Sequence, residues 1–402
     1  MTLLKLAFRN LVGAGLRTVL NVLVLALAFL AIVASLGLLE GMNQQTSRAM
    51  VEAEYGGGQF WHPAYDPYDP LSLEEAHGPP PAALRQLIAE NRAIPILIIP
   101  GTMYPGGRLR PVLLKGISPD QGILGLPTRA LELNTEDPEA IPLLLGTRMA
   151  ESTGLEVGDY VTLQWRDVNG TIDARDARVV QVMNTPVQSV DLNQAWLPLE
   201  RLREMLGAPD QATLVVAERD LGSAIPASRG FGEGMGEAWT FQTPDDLLVD
   251  IRNLVRAKKV GAAIIYALLI FLAMIAIFDT QVLALFHRKK EIGTLMAMGM
   301  TRGRVMALFV VEGALHGVLA ILAGAVLGTP LLWRFSQVGW KLSAKADSYG
   351  YALGDTLYPV YSPDTLIRTG ILLLAITALV SWIPTRKISR LTPTEALRGR
   401  AA

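Results

Sequence analysis

The chain has 402 residues, 50% of them hydrophobic and 18% charged, with a mean hydropathy of +0.32 and no cysteine. Disorder is excluded, because so much apolar surface is available for burial, as are a disulfide scaffold and a cysteine nucleophile. The 36 Lys and Arg balance 37 Asp and Glu to a net charge of −1, without the basic surplus of a nucleic-acid binder, so no nucleic-acid partner is expected.

Residues 1–17 alternate Leu3, Leu4, Leu6, Ala7, Phe8 and Leu11 with Lys5, Arg9 and Asn10. That pattern predicts an amphipathic helix lying at the inner interface of a bilayer. Four apolar runs follow, each long enough to cross about 30 Å of hydrocarbon as a helix of about 20 residues. They are 18–39, free of charge; 260–286, with Asp279; 305–333, with Glu312 and His316; and 366–383, with Arg368 near its start. The first is too long for a signal-peptide core and reads as a retained anchor.

Basic residues set the orientation. The N-terminal segment, the 287–304 loop and the 384–402 tail carry Lys5, Arg9, Arg17, Arg288, Lys289, Lys290, Arg302, Arg304, Arg386, Lys387, Arg390, Arg398 and Arg400. The 334–365 loop has only Arg334, Lys341 and Lys345. Both termini are therefore expected to be cytoplasmic. Arg256, Lys258 and Lys259 argue the other way, but a large translocated domain tolerates such charge.

Residues 40–259 form one long insertion between the first two spans. Residues 41–259 carry 19 Lys and Arg against 29 Asp and Glu, a net of −10. Val161, Leu163 and Trp165 alternate as in a half-buried strand, and Val179, Val180 and Val182 continue the β-branched theme. Leu199–Leu206 reads as a short helix stopped by Gly207. The expected fold is thus a membrane α-helical protein with four transmembrane helices and a large extracytoplasmic mixed α/β domain inserted between helices 1 and 2. The segments Tyr55–Pro81 and Ser228–Trp239, the latter with Gly at 230, 232, 234 and 236, read as irregular loops.

The sequence holds no phosphate-cradling Gly-x-x-x-x-Gly-Lys-Ser/Thr loop and no His-Glu-x-x-His helix. His62, His77, His287 and His316 are scattered, so no metal site is expected. No nucleophile–base constellation stands out, and an enzyme activity within this chain is not expected. Asp279, Glu312 and His316 are costly within spans and invite two readings. Glu312 and His316 share a helix face and, with Asp279, suggest a proton relay. Alternatively, Asp279 and Glu312 lie within about two turns of the cytoplasmic ends of their spans and pair with local basic residues.

Within the 287–304 loop, Glu291–Met298 is helix-compatible, with an acid early and Gly299 as a stop. Ile292, Leu295, Met296 and Met298 give it an apolar face where a loop should be polar. Such a face fits a protein partner or the bilayer surface.

Three segments together resemble the FtsX-like permease family of ATP-binding-cassette transporters, which contains macrolide exporters and lipoprotein-releasing permeases. They are Leu6-Ala7-Phe8-Arg9-Asn10-Leu11 with Leu16-Arg17-Thr18; Arg288 to Thr301, followed by Glu312-Gly313 and Gly317, Gly324 and Gly328; and Pro384 to Arg398, ending Pro393-Thr394-Glu395-Ala396-Leu397-Arg398. In the insertion, 145–150, 154–159 and 195–199 resemble the family's periplasmic core more loosely. Asp279, where relatives often carry a neutral polar residue, and the 230–236 glycines depart from the pattern.

The resemblance implies a periplasmic domain at 40–259 and a bacterial inner-membrane location. It also implies a coupling helix built from Glu291, Ile292, Gly293, Thr294, Leu295, Ala297, Met298 and Gly299 that docks on a separate ABC ATPase dimer. No cofactor is expected in this chain, since ATP–Mg would sit on that ATPase. The other implied partners are a second permease chain, identical or related, the lipid bilayer, and a periplasmic carrier or adaptor. ATPase closure would push the 291–301 helix, shift spans two and three, and reach the outer domain through its tethers near Leu39 and Val260. Lipoprotein release fits the layout best. Export of drugs or peptides through an adaptor, and signalling to a periplasmic hydrolase, stand beside it.

Overall fold

The computed structural model describes residues 2–132, 137, 139–222, 230–231, 239–341 and 356–386. The chain forms two compact units. A helical unit draws on the chain up to Met42, from Leu254 to Trp340 and from Leu357 onward, and an α/β unit is built chiefly on Asn43–Asn253.

The helical unit comprises α1 (Thr2–Gly13), α2 (Leu16–Met50), α3 (Val249–His287), α4 (Lys289–Ala297), α5 (Arg302–Val338) and α6 (Pro363–Thr385). Of these, α2, α3, α5 and α6 are long and apolar enough to cross a membrane. Helix is the form such runs must take, because each backbone N–H and C=O then bonds within its own segment. Helix α2 runs on past its apolar stretch and α3 begins well before its own, since the flanking polar residues are still good helix formers. The last turn of α2 continues into a π-helix at Val51–Tyr55. Ser362 caps α6 by accepting a hydrogen bond from the Thr365 amide at 3.2 Å, with Pro363 at the first helical position.

Between α5 and α6 the seam is made of small residues. A Cβ at Gly313 would overlap the Ser381 hydroxyl, and one at Gly317 would press on Thr377. Close approach of this kind replaces the hydrophobic drive that lipid cannot supply. Deeper in the unit, Leu25, Phe29 and Val33 of α2 pack with Ala273 and Ile277 of α3, Ala320 of α5, and Leu373 and Val380 of α6. Asn21 of α2 also donates to the Thr280 hydroxyl of α3 at 2.9 Å.

In the α/β unit the strands are β1 (Gln59–Trp61), β2 (Ala93–Met103), β3 (Arg110–Ile117), β4 (Ile141–Gly146), β5 (Tyr160–Arg166), β6 (Ile172–Met183), β7 (Gln194–Pro198), β8 (Leu214–Ala217), β9 (Gly230–Phe231) and β10 (Trp239–Gln242). Their order is β3-β7-β4-β6-β5-β2, closed by a β2–β3 pairing, with β8-β1-β10-β9 continuing from β2. Closure needs β2 to serve two sheets. Its C-terminal half pairs with β3 (Leu97↔Gly116 through Met103↔Arg110) and β5 (Gly101↔Trp165), and its first half pairs with β8 (Ala93↔Ala217). A ring removes the sheet edges it joins.

The two-residue period of a strand explains why β2 is apolar without alternation from Ala93 to Ile99, where both of its faces are buried. Leu97, Ile99 and Met103 enter one core with Leu114, Leu143, Leu163 and Leu197, while Ile94, Ile96 and Ile98 enter a second with Leu144 and Trp196. The Leu199–Leu206 helix covers the first core through Leu199 and Leu202, and the Trp165 indole donates to its Met205 carbonyl at 2.8 Å. Asp191 is buried beside Arg148 at 2.9 Å; burial pushes its carboxyl up, against the lowering pull of that guanidinium.

Two loops expected to be irregular contain some order. Tyr55–Pro81 holds β1 and a 3-10 turn at Pro70–Glu74, because Phe60 fills a core with Leu84, Val215 and Phe241. Of the glycine-rich 230–236 segment, Gly230 and Phe231 form β9, and the rest lies outside the described residues.

The π-turn after α2 is fixed to the sheet by a buried ion pair. Lys115 Nζ of β3 lies 2.6 Å from Glu54 Oε1, which also accepts from Gln194 Nε2 of β7 at 3.0 Å. Lys115 further lies over the Trp196 ring, 5.2 Å from its centroid. Lys115→Met leaves the Glu54 carboxylate buried without its cation, and a loss of roughly 3–5 kcal/mol is expected. The check is a urea titration of the full chain followed by tryptophan fluorescence. The double variant Lys115→Met/Glu54→Leu should recover most of the loss.

Candidate functional site

Helix α1 and, far from it in sequence, α4 and the start of α5 meet at one end of the helical unit. Arg288 follows the end of α3 and opens α4, whose Ile292 amide donates to the Arg288 carbonyl at 2.9 Å. Gly299 ends the turn after α4 with φ +94°, a conformation that a side chain would strain. Thr301 then starts α5, its carbonyl accepting from the Arg304 and Val305 amides.

The apolar residues of α4 divide between two sides. Ile292, 1% exposed, packs with Leu285 of α3 and Val305 and Phe309 of α5, flanked by Met296, Met300 and Met306. Gly293 is buried as well. Glu291, Thr294, Ala297, Met298 and Gly299 are exposed, Met298 at 72%, and Leu295 is half-buried. The expected partner-facing set of Ile292, Leu295, Met296 and Met298 is therefore corrected: Ile292 and Met296 face inward. A nine-residue helix joining two neighbouring long helices must cover the seam between them, and its bulkiest branched residue does so.

Beside the outward side of α4 lies a cavity of about 280 Å³. Leu6 and Asn10 of α1, Glu291, Leu295 and Met298, and Leu308 and Phe309 of α5 line it. Sequence periodicity had assigned α1 to the bilayer surface, and Leu4, Phe8 and Val12 do remain exposed along one stripe. On another face Ala7 and Leu11 are buried, and the Thr18 hydroxyl donates to the Leu11 carbonyl at 2.7 Å. An amphipathic repeat shows that one face is apolar; it does not show a second contact face.

Glu312 of α5 is 5% exposed, and its carboxylate accepts from Arg288 Nη1 at 3.3 and 3.2 Å and from Asn10 Nδ2 at 3.5 Å. Arg288 Nε also lies 3.5 Å from Glu291 Oε2. His316 is buried one turn on, but its Nδ1 bonds the Glu312 backbone carbonyl at 2.9 Å rather than the carboxylate. Asp279 is exposed on α3 and, among the described residues, shares no hydrogen bond with Glu312 or His316. Of the three intramembrane polar residues, the structure thus brings two onto one helix face and leaves the third apart. The partners that sequence reading did not name, Arg288 and Asn10, have one signal: an acid inside an apolar helix must find donors nearby.

In the α/β unit, His62 stacks edge-on to Trp239 at 5.6 Å and His77 hydrogen-bonds Gln211. The Pro393–Arg398 ending lies outside the described residues.

This division of α4 generates a test of packing. Ile292→Asp forces a carboxylate into the Leu285–Val305–Phe309 cluster and is expected to cost roughly 3 kcal/mol or more. Met298→Asp should stay within about 0.5 kcal/mol of the parent. Thermal unfolding of the detergent-solubilised chain distinguishes them.

Residues 18–227 match the model of the MacB-like periplasmic core domain, and residues 263–393 match the FtsX-like permease C-terminal model. The chain is 25% identical over 338 residues to the lipoprotein-releasing system transmembrane protein LolC of Neisseria meningitidis, covering 77% of this chain and 79% of that one. It is 21% identical over 316 residues to LolC of Xylella fastidiosa, covering 74% and 75%. With LolE of Haemophilus influenzae, also named as part of a lipoprotein-releasing system, identity is 24% over 277 residues, covering 63% and 64%.

Proposed function

This chain belongs to the ABC transporter permeases that join a MacB-like periplasmic core domain to an FtsX-like permease C-terminal region, and we propose that it serves as the membrane subunit of a lipoprotein-releasing machine. The observation that carries the mechanism is the outward side of α4. A nine-residue helix between two spans exposes Thr294, Ala297 and Met298 beside an apolar cavity while anchoring itself through Ile292. Exposed Met298 beside that cavity supports a protein contact on this side of α4. The fitting partner is a separate ATPase subunit that binds ATP–Mg, one on each of two permease chains, identical or related.

In this reading, ATPase closure presses on α4, and α3 and α5 move because Leu285, Ile292, Val305 and Phe309 form one packed cluster. The continuous helices α2 and α3 carry the displacement outward. Work is done on the periplasmic side by the α/β unit, which hands the lipoprotein to a soluble carrier. Relatives named for lipoprotein release, aligned along about three quarters of both chains, favour this cargo over drugs or peptides.

Co-purification from detergent tests the coupling contact. Met298→Asp and Leu295→Asp, on the exposed side, are expected to lower the amount of bound ATPase about tenfold, as loss of a buried interface anchor does. A wild-type chain that retains no ATPase would sink the reading. Orientation has its own check, aided by the absence of native cysteine. A cysteine placed at exposed Asp173 should react with an impermeant maleimide added outside spheroplasts, and one at exposed Lys290 should react only after lysis.

A further inference from the structure

We propose that Glu312 is a positioning residue that binds the N-terminal helix α1 and the coupling helix α4 to α5, so that α1 travels with α4 during the ATPase cycle. The inference rests on the coupling role of α4 and adds to it a second moving part.

One carboxylate joins residues 10, 288 and 312. Both of its oxygens accept from Arg288 Nη1, and one also accepts from Asn10 Nδ2. At 5% exposure on an apolar helix, such a charge persists only with donors, and here each donor comes from a different segment.

The apolar and polar contacts of this corner do different work. Packing of Ile292 on Val305 and Phe309 is non-directional and tolerates sliding. Charge-assisted hydrogen bonds fix distance and angle. Glu312 therefore sets the register of α4 along α5, while Asn10 sets that of α1 at the same point. Ala7 and Leu11 press α1 against the bundle, and the Thr18–Leu11 bond ties the end of α1 to the start of α2. A displacement of α4 thereby reaches α2 through α1, by a route separate from the α3–α4–α5 cluster. Because Leu6 and Asn10 line the same cavity as Leu295 and Met298, α1 also forms part of the surface beside the docking helix.

The test uses the full chain bound to its ATPase in lipid nanodiscs. Spin labels on Lys5→Cys and Lys290→Cys, both exposed positions in a chain without native cysteine and neither in the docking set, report the α1–α4 separation. In the parent that separation should be the same without nucleotide and after trapping with ATP and vanadate. In Glu312→Gln and Glu312→Leu it should broaden or shift on trapping, with ATPase still bound and ATP-dependent lipoprotein release falling about tenfold at unchanged ATP binding, a loss in the usual range of coupling energies. The exchanged pair Arg288→Glu/Glu312→Arg should restore a narrow separation, which mere cavity filling would not. Should the Glu312 variants fail to reach the membrane, Arg288→Gln removes the same contact from its less buried side and is measured in the same way. A parent in which α1 parts from α4 on trapping, or variants in which the separation stays as in the parent, would overturn the proposal. Absence of bound ATPase from the parent would instead remove the coupling reading beneath it.

Discussion

A carboxylate buried on a long apolar helix has to be met by donors from within the protein, since burial strips it of solvent. Glu312 meets that demand with Arg288 and Asn10, and the geometry of the helical unit's end follows from it. Arg288 must stand where α3 gives way to α4, and α1 must lie close enough for a short amide side chain to reach. Helix α4 is thereby held between an apolar anchor, Ile292, and a polar one, Arg288, one turn apart. Its remaining residues are left to face outward.

The α/β unit solves a comparable problem with different means. A sheet in water has edges that recruit other strands, and ring closure through β2 removes them around the barrel. The consequence is a strand buried on both faces, whose odd and even residues belong to different cores. Where the long helix α2 ends, a buried Lys115–Glu54 pair and Gln194 fasten its π-turn to β3 and β7. Such a pair contributes little net stability over an apolar substitute, yet it fixes geometry, because each partner is costly without the other. Both units thus use one buried charge pair to set the register of a helix.

Much of this was legible from residue order alone. Four apolar runs became four long helices, because hydrocarbon length and backbone satisfaction leave a chain no other local option. The strand at Tyr160–Arg166 and the helix at Leu199–Leu206 were visible in their periodicity and in the glycine that follows the helix. The helical start of the 287–304 loop was visible too. Its facing was not: period alone made Ile292 and Met298 equivalent members of one apolar set, and contact with α5 separated them into an anchor and an exposed group. The Tyr55–Pro81 segment misled for a related reason. Its turn-rich composition hid the three-residue strand β1, which owes its existence to pairing with β8 and β10 rather than to its own propensity.

By itself the sequence determined the class of the protein, the number of long apolar helices and the mixed α/β character of the segment after the first of them. Each of these is encoded in local hydropathy, charge and motif, within stretches no longer than a helix. The tertiary structure alone decided that the sheet closes into a ring, that α1 borders the α4 cavity, and that Asn10, Arg288 and Glu312 share one carboxylate while Asp279 stands apart. Those outcomes depend on contacts between residues far apart in the chain, where hydrogen-bond geometry and available space choose among pairings that composition leaves equal.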